Sequence, residues 1–273
     1  MSAEKISLVK VEQHLFVSKH LKRTVIVDCY LPAQGLSSQE VQLLLVNDGQ
    51  DLVKMEFENI LDSLLVDELI SPLFCVGLHC SEDRKNEYGT ARILDYKGRG
   101  AKAFNYTKFV LQELLPFLKE KYKINSFTEK TFAGFSLGGL SALDIVWNYP
   151  HEFNRVGVFS GSFWWRDKDQ DDKDFDEHVN RIMHRQVQEG HYADWLKFFF
   201  EVGTLDETAD RNNNGIIDAI DDTLGLIEEL VKKGYDKTRD IYYLELQDGR
   251  HDVPTWARSF PAFLKWGWGA NKQ

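Results

Sequence analysis

The feature that most narrows the fold of this chain is a regular exchange of two apolar periodicities. Short apolar runs at 43–46, 73–78, 131–135, 155–159, 198–202 and 241–246 have the length and composition of buried strands. Between them, apolar residues recur at helical spacing over 53–65, 104–122, 137–147, 223–233 and 255–266. Pro116 and Pro261 are the local objections to two of these helices, and the helix from 137 must stop before Pro150. Two further strands open the chain at 15–18 and 24–31, the second alternating Val25, Val27 and Cys29 against Ile26, Asp28 and Tyr30, and they are expected to pair antiparallel. Strands alternating with helices predict an α/β fold, with a mostly parallel central sheet and helices on both faces.

The 273 residues contain no internal repeat and no low-complexity linker, so 1–273 is expected to form one domain. An acidic stretch, 166–178, has no strand pattern and sits between two strands, which predicts a small inserted cap at about 162–196. The net charge of −10 argues against a nucleic-acid partner. Three cysteines imply no disulfide framework. Residues 1–20 interleave Glu4, Lys5, Lys10, Glu12 and Lys19, unlike an export signal, and no run approaches the roughly 20 apolar residues of a membrane span. The expectation is a cytoplasmic protein with no membrane partner; its oligomeric state is not legible.

Gly134-Phe135-Ser136-Leu137-Gly138 falls where a strand ends and a helix begins. That is the strained turn that lifts a serine hydroxyl above a sheet, and Gly134, Gly138 and Gly139 stand where Cβ atoms would crowd it. A serine needs a base. His251 follows a strand and the turn 247–250, at the sheet edge where open α/β folds place their sites; His79 and His151 are lesser rivals. Asp206, just past the strand 198–202, is placed to orient that base, with Glu207 as the rival acid. Serine, acid, histidine is the chain order of the α/β-hydrolase triad. The amide of Leu137, and that of Gln50 in the loop Asn47-Asp48-Gly49-Gln50, are the expected oxyanion donors.

With these residues in place, the chain resembles the putative-esterase family of α/β-hydrolases, which includes esterase D, feruloyl esterases and enterochelin esterases. The resemblance runs through Val27-Asp28-Cys29-Tyr30-Leu31-Pro32, Asp48-Gly49-Gln50, Asp83-Arg84, Glu87-Tyr88, the serine turn, Gly203-Thr204-Leu205-Asp206 and Gly249-Arg250-His251-Asp252. Ser160-Gly161-Ser162-Phe163-Trp164-Trp165 is similar to a segment of the enterochelin esterases. The resemblance implies an α/β-hydrolase fold and a serine carboxylic-ester hydrolase working through an acyl-serine, with a small-molecule ester as partner and no organic cofactor. It tilts the substrate toward aryl or siderophore-type esters, with Arg84, Glu87, Tyr88, Trp164 and Trp165 around it. The two indoles can stack on an aryl acyl group or pack beneath the cap. An acyltransferase would use the same residues.

Residues 210–221 also fit a calcium-loop template, with Asp210, Asn212, Asn214, Asp218 and Asp221 at positions 1, 3, 5, 9 and 12, Gly215 at 6 and the carbonyl of Ile216 at 7. Asp221 replaces the usual glutamate, and a strand and turn precede the loop instead of a helix. A structural Ca²⁺ bracing the acid loop is therefore expected, and with it the alternative of a non-catalytic calcium-dependent binding module.

Overall fold

The apolar runs near 43 and 75 are buried almost end to end, as strands are when helices cover both faces of a sheet. In the structure, a computed structural model that describes residues 7–36 and 41–270, they lie within one eight-stranded sheet. Its strands are β1 (Val9–Ser18), β2 (Arg23–Pro32), β3 (Val41–Asn47), β4 (Phe74–Leu78), β5 (Phe127–Phe135), β6 (Arg155–Phe159), β7 (Lys197–Leu205) and β8 (Ile241–Arg250), in the order β1-β2-β4-β3-β5-β6-β7-β8. The pairs β1–β2 and β2–β4 are antiparallel and every other pair is parallel. The expected α/β-hydrolase arrangement is the one observed. Glu4 and Lys5, weighed above against an export signal, lie outside the described residues. Among those described, no helix is long and apolar enough to cross a membrane.

The helices are α1 (Gly49–Lys54), α2 (Phe57–Val66), α3 (Arg84–Glu87), α4 (Ala103–Lys108), α5 (Leu115–Tyr122), α6 (Leu137–Asn148), α7 (Glu177–Asn180), α8 (Ile182–Glu189), α9 (Asp218–Lys233) and α10 (Val253–Trp268). Leu52, Phe57, Leu61, Trp256, Phe260 and Phe263 of α1, α2 and α10 form one apolar layer. Tyr106, Leu118, Leu140, Met183 and Leu226 of α4, α5, α6, α8 and α9 belong to the other. Within the segment 162–196, α8 is thus part of a core layer, its Ile182, Met183 and Val187 buried, while 170–174 is exposed.

Several boundaries moved for physical reasons. The expected helix 53–65 is two helices, broken at Glu56, whose φ of 53° no α-helix tolerates. The stripe 104–122 holds a π-helical turn, Phe109–Leu114, between α4 and α5, and Pro116 falls just beyond that wider turn. β1 begins six residues before the expected 15, because an edge strand half open to water accepts Lys10 and Glu12.

Candidate active site

The candidate side chains leave the sheet at the carboxyl ends of parallel strands: the Asp48 loop after β3, Ser136 after β5, Asp206 after β7 and His251 after β8. Ser136 has φ 54° and ψ −120°, a conformation a non-glycine residue holds only when its surroundings impose it. Its amide donates to the Phe159 carbonyl (2.8 Å), and its carbonyl accepts from the amides of Gly139, Leu140 and Ser162. The turn is tight enough that a Cβ at Gly134 would lie 2.4 Å from the Gly138 carbonyl oxygen, and one at Gly138 2.4 Å from Asp48 Oδ2. The Ser136 hydroxyl is 3.2 Å from Ser162 Oγ.

The base and acid are brought together by β7 and β8. A register shift between Gly203 and Leu205 carries the pairing on to Leu205 with Arg250, and a Cβ at Gly203 would stand 2.3 Å from the Gly249 carbonyl carbon. That approach sets His251 Nδ1 3.7 Å from Asp206 Oδ2; the histidine is 41% exposed and the aspartate 1%. Asp252, the N-cap of α10, accepts from the Thr255 amide (2.9 Å), which fixes the backbone just beyond His251, and the His251 ring meets Trp256 edge to face at 5.4 Å. The rival acid Glu207 is solvent-exposed, and partial desolvation together with the Asp218 charge raises its carboxyl. Of the rival bases, His79 is committed to Asp28 at 2.6 Å and His151 packs against Trp195.

Leu137 and Gln50 occupy the first turns of α6 and α1, where amides have no acceptor within their own helix. The loop bearing Gln50 is held to the serine turn by a polar network that spacing could not announce. Both oxygens of Asp48, in a left-handed conformation (φ 59°), take bonds of 2.7 Å from Arg84, which also donates to the Phe135 carbonyl. Asn47 donates to the Gly138 carbonyl (2.8 Å) and accepts from the Tyr106 hydroxyl (2.5 Å). The Gln50 side chain itself turns to Cys80, accepting from its amide at 3.2 Å.

This network relocates most of the expected substrate residues. Arg84 is spent on Asp48, and Tyr88 is fully buried, its hydroxyl accepting from the Asp48 amide (3.2 Å). Glu87 is buried and paired with Arg23 at 2.6 and 2.7 Å. Trp165 is buried and donates to Thr90. The structure therefore puts Glu87, Tyr88 and Trp165 in the packing beneath the site, because each has its polar atoms satisfied there. Trp164 stays at the surface of the site: with Ser160, Gly161, Asp206, Glu207, Ala219 and His251 it lines a cavity of about 80 Å³, and the Arg99 guanidinium lies 5.0 Å from its ring centre.

In the loop 210–221 the oxygens that the template assigns to a cation are turned to amides, to one another and to a guanidinium. Asp210 accepts the amides of Asn214 and Gly215 (3.1 and 2.9 Å), while Asn212 and Asn214 donate to Asp221 (3.2 Å each). Ile216 uses its amide on Asn214 Oδ1 (2.8 Å). Asp218 and Asp221 instead face Arg211, whose guanidinium also pairs with Glu177 (3.0 Å) and Asp222 (2.6 Å). Among the described residues, no group of three or more His, Cys, Asp or Glu is spaced to hold a metal ion. These residues do not fit calcium, since a guanidinium already supplies the positive charge the template assigns to a cation.

Comparison with known proteins agrees with this geometry. The profile of the Putative esterase family matches residues 18–266. The chain belongs to that family. Among curated relatives, this esterase-family chain is 22% identical over 251 residues to the uncharacterized protein YbbA of Bacillus subtilis (strain 168), covering 88% of this chain and 91% of that one. Among solved structures it is similar to the enterobactin esterase FES of Shigella flexneri, crystallised in the presence of 2,3-di-hydroxy-N-benzoyl-glycine: TM-score 0.68, 21% identity, 96% of this chain but only 59% of that one. It is also similar to a ferulic acid esterase (TM-score 0.70, 16% identity, 96% and 98% covered) and to an IroE-like serine hydrolase from Shewanella oneidensis (0.70, 17%, 95% and 80%). At such identities the likeness concerns the fold.

Proposed function

We propose that this esterase-family chain is a serine carboxylic-ester hydrolase in which Ser136, His251 and Asp206 act as the triad. The observation that carries the reading is the Ser136 turn: a strained φ, held by four backbone hydrogen bonds, at the sheet edge where the Asp206–His251 pair also ends. Ser136 Oγ attacks the ester carbonyl while His251 takes its proton, and Asp206 holds the ring and stabilises the imidazolium. The amides of Leu137 and Gln50 receive the developing oxyanion. Collapse expels the alcohol with the proton from His251, and water repeats the sequence to free Ser136. His251 and Asp206 stand 3.7 Å apart, a separation that the hydrogen bond of the reacting triad would shorten.

The acyl group is aromatic in this reading, because Trp164 is the large ring left at the site and Arg99 already covers one part of it. The relatives named above for enterobactin and ferulic acid support it. Rates on p-nitrophenyl acetate, benzoate and a hydroxycinnamoyl ester are the test. Ser136→Ala should abolish turnover with unchanged far-UV circular dichroism, and a serine-directed phosphonate should label wild type only. Retained turnover in Ser136→Ala refutes the serine mechanism; loss of the aryl preference in Trp164→Ala is expected, and its persistence refutes the acyl assignment.

A further inference from the structure

β7 carries a second acid that the mechanism leaves without a role. Glu201 sits inside the strand, in register with Phe159 of β6 and Leu244 of β8, and is 1% exposed. Neither of its carboxyl oxygens has a hydrogen-bond partner, and the same is true of both oxygens of Asp206. The nearest amide on β6, that of Ser160, is spent on the Glu201 backbone carbonyl (2.8 Å). Two buried carboxyl groups whose oxygens make no hydrogen bond are costly enough that one should keep its proton, against the weaker opposing pulls of the Ser160 amide and Arg258 on Glu201.

Side chains alternate along a strand, so Glu201 and Gly203 point to one face. Gly203 leaves that face empty, and a Cβ there would lie 2.7 Å from Asp206 Oδ1. The Asp206 carboxylate therefore lies over the gap at Gly203, roughly two residues or 6.6 Å along the strand from the Glu201 backbone, and its charge acts on the Glu201 carboxyl. We propose that Glu201 and Asp206 form a hydrogen-bonded acid pair sharing one proton, Glu201 being the protonated donor and Asp206 the ionised acceptor that faces His251. Glu201 is then a positioning residue for the triad, and the inference rests on the triad reading above.

The surroundings fit that assignment. Burial, and then the Asp206 charge, push the Glu201 carboxyl up to about 8. From α10, Arg258 gives its guanidinium to Asp248 at the surface, and the Trp256 indole donates to Ser160 Oγ. From β8, the Tyr243 hydroxyl donates to Glu245. The shared proton stays on Glu201 through the catalytic cycle, while the Ser136 proton passes to His251 and on to the leaving alcohol. Above about pH 8 Glu201 releases its proton to solvent, the two carboxylates repel, and Asp206 loses the donor that aims it.

The test compares Glu201→Gln, Glu201→Leu and Ser136→Ala across pH with one aryl ester. Wild-type kcat should fall above about pH 8. Glu201→Gln keeps an N–H donor at every pH, so kcat at neutral pH should stay within about threefold of wild type and the alkaline fall should vanish. Glu201→Leu removes the donor, so kcat should drop about tenfold throughout with KM unchanged. An infrared carbonyl band of a protonated carboxylic acid should be present in wild type at pH 7 and lost in Glu201→Gln, a readout independent of activity and of whether the leucine variant folds. The pair is refuted if that band is absent, if Glu201→Gln falls at the same pH as wild type, or if folded Glu201→Leu keeps the wild-type kcat. Turnover surviving in Ser136→Ala overturns the triad instead, which separates the two failures.

Discussion

Replacing Arg84 with Met tests whether this residue serves the oxyanion loop or the substrate. Asp48 is 1% exposed, and both its oxygens are held by Arg84 at 2.7 Å, so the methionine stem keeps the packing and strands a buried carboxylate. Breaking a buried pair in this way costs about 3–5 kcal/mol. The Arg84 side chain is 29% exposed, so water can follow it in and the lower end applies, about 3 kcal/mol. For a chain of this size each kcal/mol moves Tm by roughly 2–4 °C, giving a fall of roughly 6–12 °C. The loop that carries the Gln50 amide is also loosened, which should lower kcat by at least about tenfold with little change in KM. Differential scanning fluorimetry and steady-state kinetics measure both, and the double variant Asp48→Asn/Arg84→Met should recover part of the stability, since no charge is then left unpaired. A Tm within about 2 °C of wild type, together with raised KM and unchanged kcat, would refute the reasoning and return Arg84 to the substrate.

Gly203→Ala should lower kcat and Tm together, because its Cβ has Gly249 at 2.3 Å and Asp206 Oδ1 at 2.7 Å; an alanine variant with wild-type kinetics would show that β7 and β8 can separate freely. Arg211→Gln should cost about 3 kcal/mol or more by thermal melt, since it strips the cation from Glu177, Asp218, Asp221 and Asp222. By the same argument wild-type Tm should be indifferent to millimolar Ca²⁺ or chelator, and a rise of several degrees with Ca²⁺ would restore the calcium loop. The Glu201 carboxyl, raised to about 8 by burial and the Asp206 charge, makes the folded state bind more protons than the unfolded chain. Its destabilising contribution is therefore absent below the ordinary carboxylate range, grows as pH rises, and is complete above about 8. Urea melts between pH 5 and 9 should show wild type losing stability relative to Glu201→Gln over that window; parallel curves contradict it.

What could be read from the chain was whatever local geometry dictates. The strand-to-helix turn at Ser136 needs glycines on both sides whatever lies beyond it, so the motif carried its own context. The order of strands and helices was legible for the same reason, since each apolar run must be covered. Long-range pairing was not. Arg84, Glu87 and Tyr88 sit in the segment after β4, and nothing in their spacing tells whether they turn toward a ligand or toward Asp48, Arg23 and the Asp48 amide. Glu201 stands among phenylalanines in a strand, where its charge looks like an interruption until the Asp206 carboxylate is seen over Gly203, two residues on along the same face.

The acid loop shows how far a template can carry. Asp210, Gly215 and Asp218 take the places that a calcium loop requires, and the Asp210 carboxylate closes the turn through the Asn214 and Gly215 amides much as such a loop would close. The template leaves its second position free, and there the chain has Arg211. Its guanidinium reaches Glu177 on α7 and Asp218, Asp221 and Asp222 on α9, tying the segment after β6 to the helix that follows Asp206. A covalently attached cation does not dissociate, so this brace on the acid loop holds at any calcium concentration. In the reading proposed above, a charge that does adjust behind the triad lies on β7, in the proton shared by Glu201 and Asp206.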